Sequence, residues 1–219
     1  MANLVDSLIK EGWLKTPEII EAFRKIKRID FLPKDLKDLA GLNQALPIGF
    51  EQTISQPLVV AFMLEKLEPK KGDKILDIGS GSGWTTALLS EIVGKEGKVI
   101  AIELVPELAE FGKRNAEKYN FVKAGRASFI YADGSKGYPN ITSCPELAEG
   151  FDKILCSASV HKKIPSAWKD QLKIGGRIVT PIDSSIWLLI KNPPTGGAKS
   201  DKFEEIEFPG FSFVPLIVK

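Results

Sequence analysis

Histidine and cysteine are scarce in this sequence of 219 residues, which contains one histidine and two cysteines. Cys144 and Cys156 lack the short paired spacing of metal-ligating cysteines, so we expect no structural zinc site and no metal ligands. His161 is the sole histidine that could activate a nucleophilic serine or cysteine. Two isolated cysteines favour reduced thiols and a cytoplasmic protein.

An excess of charge of one sign is also absent. The 30 basic residues nearly balance the 28 acidic ones, which gives no reason to expect nucleic acid as the main partner. No apolar run approaches the length of a membrane span, and Met1–Lys10 mixes charges where a signal peptide would have a long apolar core. We therefore expect neither a nucleic-acid partner nor a membrane, in a chain whose length fits one domain.

Glycine, by contrast, is concentrated at one place that organises the chain. Lys74–Ile78 predicts a short apolar strand, Gly79, Gly81 and Gly83 follow it, and a helical pattern begins near Thr85. A strand, a glycine turn and a helix form the first half of a βαβ unit. Such a turn lets a ligand approach the free N–H groups at the start of the helix.

The spacing of these glycines separates two classes of ligand. Dinucleotide-binding turns follow Gly-x-Gly-x-x-Gly, whereas this turn is Gly-x-Gly-x-Gly and has Trp84 at the place of the third dinucleotide glycine. Asp77, inside the strand end, suits a cationic ligand group or the turn's own N–H groups better than a pyrophosphate. The pattern resembles the first motif of S-adenosylmethionine-dependent methyltransferases, and a purely structural turn is the alternative.

Two further acidic residues lie at the ends of predicted strands. Val99–Glu103 predicts the next strand and places Glu103 about 20 residues after the last glycine, where α/β nucleotide folds bind a ribose diol. A first-turn acid of the following helix is the alternative. Asp133 and Gly134 follow the predicted strand Ala127–Ala132, at the edge where open α/β sheets bind ligands. An ordinary Asp-Gly turn is the alternative there.

The N-terminal quarter predicts helices and then an irregular connection. Residues 3–28 have a helical pattern, with Thr16 as the N-cap and Pro17 in the first turn of the second segment. Ser55 precedes Pro57 and another helical stretch. From the residues alone, Ser55 is best explained as the N-cap of that helix.

The same region resembles a known family. Gln52–Pro57, with the sequence QTISQP, resembles the hallmark segment of the protein-L-isoaspartate O-methyltransferases. Other matches to that family follow its order from residue 28 to residue 216. They are Arg28–Pro33, Leu46–Gly49, Leu76–Gly83, Ala132–Ser135, Gln171–Pro181 and Phe213–Leu216.

The resemblance implies an enzyme that uses S-adenosylmethionine to methylate the α-carboxyl group of L-isoaspartyl residues in damaged proteins and peptides. The ester then closes to a succinimide, which starts repair to normal aspartyl. A carboxylate is already ionised at neutral pH, so this chemistry needs no strong general base. We therefore expect His161 to be a histidine of a surface loop.

The resemblance also implies roles for individual residues. Ser55 is the implied catalytic serine, a hydroxyl that orients the substrate carboxylate or the cofactor and is not a nucleophile. Thr53 and Ile54 are implied to shape the substrate pocket, and an extended substrate is implied to pair with the strand edge at Val214, Pro215 and Leu216. Asp133 is implied to face the adenine amino group. The implied cofactor-binding residues are Asp77, Gly79, Ser80, Gly81, Gly83, Glu103, Leu104, Asp133 and Gly134.

The expected fold is α/β and Rossmann-like, a mostly parallel central sheet with antiparallel C-terminal strands and helices on both faces. Residues 1–219 form a single methyltransferase domain, with 1–57 as a helical and loop cap that contributes the substrate segment and 58–219 as the core. We expect helices over 105–119 and 164–173, a turn at Gly175-Gly176, a hairpin tip at 192–201, and strands over 203–208 and 211–218. We also expect a monomer.

Three alternatives stay open at this point. An NAD-dependent oxidoreductase could use the same fold, although the glycine spacing and Trp84 argue against it. Residues 40–45 depart from the family pattern, so a methyltransferase-like protein could bind S-adenosylmethionine with a different acceptor or with no turnover. A methyltransferase acting on another carboxylate or a small molecule is the third.

Overall fold

The computed structural model describes residues 4–139, 141–194 and 201–219. The helices that these residues form are α1 (Leu4–Lys10), α2 (Pro17–Lys25), α3 (Pro57–Leu67), α4 (Trp84–Val93), α5 (Pro106–Glu117) and α6 (Ser166–Gln171). The strands are β1 (Leu46–Gly49), β2 (Gln52–Ile54), β3 (Lys74–Ile78), β4 (Lys98–Glu103), β5 (Ala127–Tyr131), β6 (Phe151–Cys156), β7 (Leu172–Ile182), β8 (Ser185–Asn192) and β9 (Lys202–Pro209). Short 3-10 helices occupy Arg28–Phe31, Lys34–Leu39, Gly134–Lys136, Ile141–Ser143 and Pro145–Leu147.

The main sheet has seven strands in the order β5-β4-β3-β6-β7-β8-β9. Neighbouring strands from β5 to β7 pair in parallel, whereas β8 pairs antiparallel with both β7 and β9. This arrangement confirms the expected α/β fold with a mostly parallel sheet and antiparallel C-terminal strands. A separate antiparallel hairpin joins β1 to β2.

Side chains on both faces of the sheet are buried, because each face carries helices or packed loops. Successive residues of β3 point to opposite faces, so Ile75 belongs to the cluster formed with α2, α3 and α4, while Leu76 belongs to the cluster formed with Trp168. Burying an aliphatic side chain of this size contributes about 1.5–3 kcal/mol. β3 is therefore held firmly at the centre, where it fixes the turn that follows it.

The cap of the second N-terminal helix differs from the expected pattern. The helical pattern over 3–28 forms two helices, α1 and α2, with the second beginning after Thr16 as expected, and Gly12 with a φ of 77° lies between them. Thr16 is the N-cap residue of α2 but makes no capping hydrogen bond with its side chain. Its hydroxyl donates instead to Oε2 of Glu65 in α3, at 2.7 Å. Thr16 thus joins two helices, which a local capping pattern does not reveal.

The C-terminal third contains three corrections. The helix expected over 164–173 is limited to α6, and β7 begins at Leu172 and runs through Gly175-Gly176, where a turn was expected. The expected closing strand over 211–218 is wrong: this segment does not join the sheet and makes one isolated parallel bridge, between Ser159 and Pro215. Most of the expected hairpin tip at 192–201 lies outside the described residues, but its flanking strands β8 and β9 pair as expected.

No helix formed by the described residues has the length and hydropathy needed to cross a bilayer. The same part of the chain contains no group of three or more histidine, cysteine and acidic side chains arranged to hold a metal ion.

Candidate active site

A cavity opens at the carboxyl edge of the parallel strands. The turn after β3, the residues after β4, β5 and β6, the β2–α3 loop and the C-terminal segment all contribute to its wall. This is the edge at which open α/β sheets bind ligands. Its lining residues are Gln52, Thr53, Ile54, Ser55, Val60, Ile78, Gly79, Ser80, Gly81, Ser82, Trp84, Thr85, Ile102, Glu103, Leu104, Val105, Ala132, Gly134, Ser157, Ala158, Val214, Pro215, Leu216 and Ile217.

Twelve of the 15 residues expected at the site lie in this lining. They are Thr53, Ile54, Ser55, Gly79, Ser80, Gly81, Glu103, Leu104, Gly134, Val214, Pro215 and Leu216. Asp77, Gly83 and Asp133 do not line the cavity. The structure therefore brings together residues that are up to about 160 positions apart in sequence, because separate loops meet at one edge of the sheet.

The glycine turn is held in a conformation that side chains disfavour. The N–H groups of Gly79 and Ser80 donate to the carbonyl of Ile102, at 2.9 and 3.2 Å, which fixes the turn against β4. Gly83 has a φ of 80° and begins α4 as its N-cap residue. A Cβ at Gly83 would lie 2.7 Å from the carbonyl oxygen of Gly112, so this glycine is required by the contact between α4 and α5.

Asp77 lies behind the turn and is fully buried. Its Oδ2 atom accepts hydrogen bonds from the hydroxyls of Thr85 (2.9 Å) and Thr86 (2.7 Å), and Oδ1 has no partner among the described residues. Burial raises the pKa of Asp77 to about 6, the negative charge of Glu103 adds to this, and the two hydroxyls act in the opposite direction. The partners of this carboxylate are thus threonine hydroxyls and not the N–H groups of the turn.

Glu103 joins the turn after β3 to the residues after β4. Its Oε2 accepts from the N–H of Gly81 at 2.8 Å, and its Oε1 accepts from the N–H groups of Leu104 (2.8 Å) and Val105 (3.0 Å). A carboxylate offers about four lone-pair directions, so one direction on Oε2 remains for a further donor. The three bonds orient Glu103 before any ligand arrives.

Asp133 is oriented by its own turn. Its Oδ1 accepts from the N–H (3.0 Å) and hydroxyl (2.7 Å) of Ser135, and its Oδ2 accepts from the N–H of Lys219 (3.1 Å). Burial acts to raise the pKa of Asp133, but these hydrogen bonds outweigh it and leave that pKa lowered. Ala132 and Gly134 on either side line the cavity, so Asp133 stands at its margin.

Ser55 lies in the cavity wall and does not cap α3. The N-cap residue of α3 is Gln56, so the interpretation of Ser55 as the N-cap is wrong. The side chain of Asn43 instead satisfies a main-chain donor in the first turn of α3, because its Oδ1 accepts a hydrogen bond from the N–H of Leu58 at 3.0 Å. The Ser55 hydroxyl makes no hydrogen bond within the part of the chain that the structure describes, which leaves it free to meet a ligand.

The C-terminal segment closes one side of the cavity. The N–H of Ser159 donates to the carbonyl of Val214, and the N–H of Leu216 donates to the carbonyl of Ser159, both at 2.8 Å. Since main-chain groups alternate in direction along an extended segment, the groups of Val214 and Leu216 point towards Ser159 and the main-chain carbonyl of Pro215 points away from it. Proline has no N–H, so this outward edge offers a carbonyl acceptor at Pro215 but no donor.

Several wall residues escaped the sequence analysis. Ser157 and Ala158 follow β6, as Gly79 follows β3 and Leu104 follows β4, and their position after a parallel strand is the signal that could have found them. Trp84 was noted only as a departure from the dinucleotide pattern, yet it lines the cavity as the first residue of α4.

His161 is outside the cavity lining and lies on the surface. Its side chain is 79% exposed, and its Nδ1 is 3.6 Å from a carboxylate oxygen of Asp183. This confirms the expected surface-loop histidine. No group in the cavity lining is thus a histidine, and the chemistry of the site depends on hydroxyl, carboxylate and main-chain groups.

These groups fit S-adenosylmethionine, the cofactor that the resemblance implies. Glu103 keeps an acceptor for a ribose hydroxyl, and the turn at Gly79 and Gly81 has no side chain that would fill the space beside it. Oγ of Ser80, which lines the cavity, is buried and has no partner among the described residues, and the carboxylate of Asp77 lies behind the turn. A ligand that carries an ammonium group and hydroxyls matches such a set of acceptors.

Comparisons with known proteins agree with this assignment. Residues 1–216 match the family model described as protein-L-isoaspartate(D-aspartate) O-methyltransferase. The chain is 40% identical to the protein-L-isoaspartate O-methyltransferase of Ignicoccus hospitalis, over 87% of this chain and 88% of that protein. It is 36% identical to that of Methanopyrus kandleri, over 98% and 90%.

A solved structure has the same fold. A protein-L-isoaspartate O-methyltransferase from Plasmodium falciparum, in complex with S-adenosyl-L-homocysteine, matches with a TM-score of 0.82 at 21% identity and covers 98% of this chain and 96% of its own. The family match and the curated relatives place the chain among methyltransferases, which excludes the NAD-dependent alternative.

Proposed function

The chain belongs to the protein-L-isoaspartate O-methyltransferase family, and from this membership we propose that it methylates the α-carboxyl group of L-isoaspartyl residues in damaged proteins and peptides. S-adenosylmethionine is the methyl donor. The main-chain nitrogen that follows attacks the methyl ester and expels methanol, which gives a succinimide. Hydrolysis of this ring gives normal aspartyl in a fraction of the molecules. The activity therefore starts a repair.

The cofactor is held by the turn after β3 and by Glu103. Gly79, Ser80 and Gly81 form the surface against which it lies, and Glu103 accepts a hydrogen bond from its ribose. Asp77 supports the turn from behind through Thr85 and Thr86 and supplies negative charge beneath it. Leu104, Asp133 and Gly134 surround the adenine, and Gly83 acts by holding α4 against α5.

Methyl transfer to a carboxylate makes small chemical demands on the protein. When bound, S-adenosylmethionine supplies a methyl group on a sulfonium, which an aligned carboxylate oxygen can take without a general base. The chain then has to align the acceptor and exclude water. Such alignment can supply about 7–11 kcal/mol of the barrier.

Ser55 is the residue that orients the acceptor. Its free hydroxyl donates a hydrogen bond to the isoaspartyl carboxylate, in the same cavity that Glu103 and the glycine turn line. This shared cavity is the single observation that carries the proposal, because it brings the family's substrate segment and the cofactor residues to one place. Thr53 and Ile54 shape the acceptor side beside Ser55.

The substrate backbone lies along the outward edge of Val214–Leu216. Because that edge offers the carbonyl of Pro215 and no N–H there, the substrate contributes the donor. Its main-chain contacts are therefore fewer than in a full strand addition. A short, locally extended segment is enough, which suits damage sites in unfolded or flexible regions of proteins.

The wider setting is also a proposal. Residues 1–57 act as the cap that contributes the substrate segment, and residues 58–219 act as the core. Two unpaired cysteines, one of them buried, support a reducing compartment such as the cytoplasm. That the protein works as a monomer stays a prediction.

Transfer of a labelled methyl group to a matched pair of peptides tests this function. One peptide contains L-isoaspartyl and the other L-aspartyl in the same sequence. We expect base-labile label on the isoaspartyl peptide alone, because the ester forms only on the abnormal carboxyl group. Label on neither peptide, with S-adenosylmethionine still bound in calorimetry, would instead support a different acceptor.

A further inference from the structure

Arg28 is a buried cation that has no carboxylate partner among the described residues. It is 6% exposed and lies in the 3-10 helix Arg28–Phe31, outside the cavity wall. Burial lowers the pKa of Arg28 to about 10, so the guanidinium still carries its charge at neutral pH. A buried charge costs free energy unless several polar groups surround it. Its partners therefore indicate what the charge is used for.

All hydrogen-bond partners of Arg28 are main-chain carbonyls of two loops. Nη2 donates to the carbonyl of Gln44 at 2.7 Å and to that of Ser55 at 3.3 Å. Nη1 donates to the carbonyl of Leu42 at 3.0 Å and to that of Ala40 at 3.4 Å. One guanidinium thus ties the segment 40–45, which departs from the family pattern, to the peptide unit of Ser55.

Arg28 also contacts a second residue of the cavity wall, Trp84. Its Cζ lies 5.5 Å from the centroid of the Trp84 ring, within the range of a cation–π contact. Trp84 is 3% exposed, lines the cavity and packs edge-on against Phe23, with ring centroids 5.6 Å apart. The same side chain therefore contacts the loop of Ser55 and the first residue of α4.

We infer that Arg28 is a positioning residue for methyl transfer, which sets the place of the Ser55 hydroxyl relative to Trp84 and the cofactor wall. The inference rests on the proposed function of the cavity. Asn43 adds to the same link, because its carbonyl accepts Nε2 of Gln56 at 2.9 Å while its side chain accepts the N–H of Leu58. Hydrogen bonds of segment 40–45 thus connect Arg28 to the start of α3.

Arginine suits this place better than lysine. The guanidinium is planar and presents five donors in fixed directions, so it can reach carbonyls on two loops while its face lies on an aromatic ring. A lysine ammonium is a compact donor on a flexible stem and reaches fewer of the four carbonyls. Arg28→Lys therefore keeps the charge but loosens the Ser55 loop.

The test compares Arg28→Lys and Arg28→Met with a buried cation elsewhere. Lys191 is also 6% exposed and donates to main-chain carbonyls, those of Lys169 (2.9 Å) and Leu172 (2.8 Å), but it is outside the cavity wall and also pairs with Asp201 at 3.0 Å. Lys191→Met is thus a control for the loss of a buried cation that ties main-chain carbonyls away from the cavity. For each protein we would measure the melting temperature, the Kd for S-adenosylmethionine, and kcat and KM for an isoaspartyl peptide well below the melting temperature.

We expect kcat of Arg28→Lys to fall about 10-fold or more while the Kd for S-adenosylmethionine changes less than about 3-fold, since misplacement of a reacting group costs turnover. We expect a larger loss of kcat in Arg28→Met if this variant folds. If it does not fold, the kcat of Arg28→Lys alone tests the inference. Lys191→Met lowers the melting temperature with kcat unchanged.

Two results would overturn the inference. One is an unchanged kcat in Arg28→Lys together with a lower melting temperature, which would make Arg28 a structural tie like Lys191. The other is an equal loss in kcat and in cofactor affinity, which would move its action to the cofactor side. The wild-type protein is assayed in parallel, so that the proposed function and the role of Arg28 are tested separately. Absence of turnover in the wild type would contradict the proposed function itself.

Discussion

At the scale of single residues, the site is built from polar groups whose partners are mostly main chain. Glu103 accepts hydrogen bonds from three N–H groups before any ligand binds, and Asp77 accepts from two hydroxyls, whereas the Ser55 hydroxyl has no partner among the described residues. Engaged groups are oriented in advance, and a free hydroxyl can meet the substrate. This division separates residues that build the cavity from one that acts in it.

Ser55→Ala should lower kcat for an isoaspartyl peptide by about 10- to 100-fold, because alignment of the acceptor is lost. Its free energy of unfolding should change by less than about 0.5 kcal/mol, since the hydroxyl caps no helix. Asn43→Ala is the matched comparison, and it should cost about 1 kcal/mol in stability as the group that serves the start of α3. Thermal unfolding and steady-state kinetics check both variants. A large loss of stability with kcat intact in Ser55→Ala would remove Ser55 from the reaction.

Glu103→Gln should weaken S-adenosylmethionine binding by about 10- to 100-fold, as expected when a charged acceptor is replaced by a neutral one. Isothermal titration calorimetry measures this directly, without turnover. Glu107→Gln, an exposed acid in the first turn of α5, should bind the cofactor like the wild type. Equal affinity in the two variants would exclude Glu103 from the ribose site.

Asp77→Asn should make the protein more stable at pH 7–8 and weaken its binding of the cofactor. Burial raises the pKa of Asp77 to about 6, so the folded state binds more protons than the unfolded state between about pH 4 and 6. Ionisation of Asp77 therefore lowers stability as pH rises through this window, at a cost on the order of 2–3 kcal/mol above it. The gain in Asp77→Asn should be absent near pH 4. Melting temperatures of both proteins from pH 4 to 8 check this, and a gain that is constant with pH would contradict it.

At the scale of elements, the cavity depends on how the turn after β3 is clamped. The turn is bonded to β4 on one side, and α4 packs closely on α5 at Gly83 and Gly112 on the other. A shift of α4 would move Trp84 and the N–H groups at the start of that helix together. The position of one helix thus controls both the cofactor wall and the contact with Arg28.

Gly83→Ala should destabilise the protein more than Gly72→Ala does, by about 1–3 kcal/mol of overpacking. Both glycines have positive φ, 80° and 84°, and Gly72 is the third residue of a turn closed by the N–H of Asp73 on the carbonyl of Lys70, so both lie in the left-handed region and the backbone strain of an alanine is similar. A Cβ meets the Gly112 carbonyl oxygen at 2.7 Å at Gly83, whereas nothing lies within 4 Å at Gly72. Denaturant unfolding of both variants gives the difference, and equal values would show that α4 and α5 can move apart freely.

At the scale of the whole molecule, local patterns predicted the central elements, and long-range contacts decided the rest. The strand and glycine turn from Lys74 to Gly83 were predictable because the conformational preferences of their residues act locally and agree with one another. Ser55 was not, since the competing cap comes from Asn43, which lies before the β1–β2 hairpin. Gly175-Gly176 lies within β7 at an irregularity between the pairs Leu172–Phe151 and Arg177–Lys153, and Gly175 has a positive φ of 78°, so the conformational preference of glycine is met inside the strand.

The C-terminal segment shows the same limit. Phe211–Val218 is apolar enough for a strand, but whether it joins the sheet depends on the partner available, and β9 pairs with β8 without continuing into it. The role of Arg28 was also hidden, because its four carbonyl partners lie 12 to 27 positions away. The rule that ligands bind at the carboxyl edge of parallel strands locates a cavity wall made from distant loops. It does not predict the hydrogen bonds within that wall.

The most direct measurement of the central claim is the conversion of an isoaspartyl peptide to its aspartyl form during long incubation with S-adenosylmethionine, followed by separation of the two isomers. We expect aspartyl peptide to accumulate with the wild-type protein, at a strongly reduced rate with Ser55→Ala, and not without the cofactor. An isoaspartyl peptide that stays unchanged in the presence of the folded, cofactor-bound wild type would contradict the account.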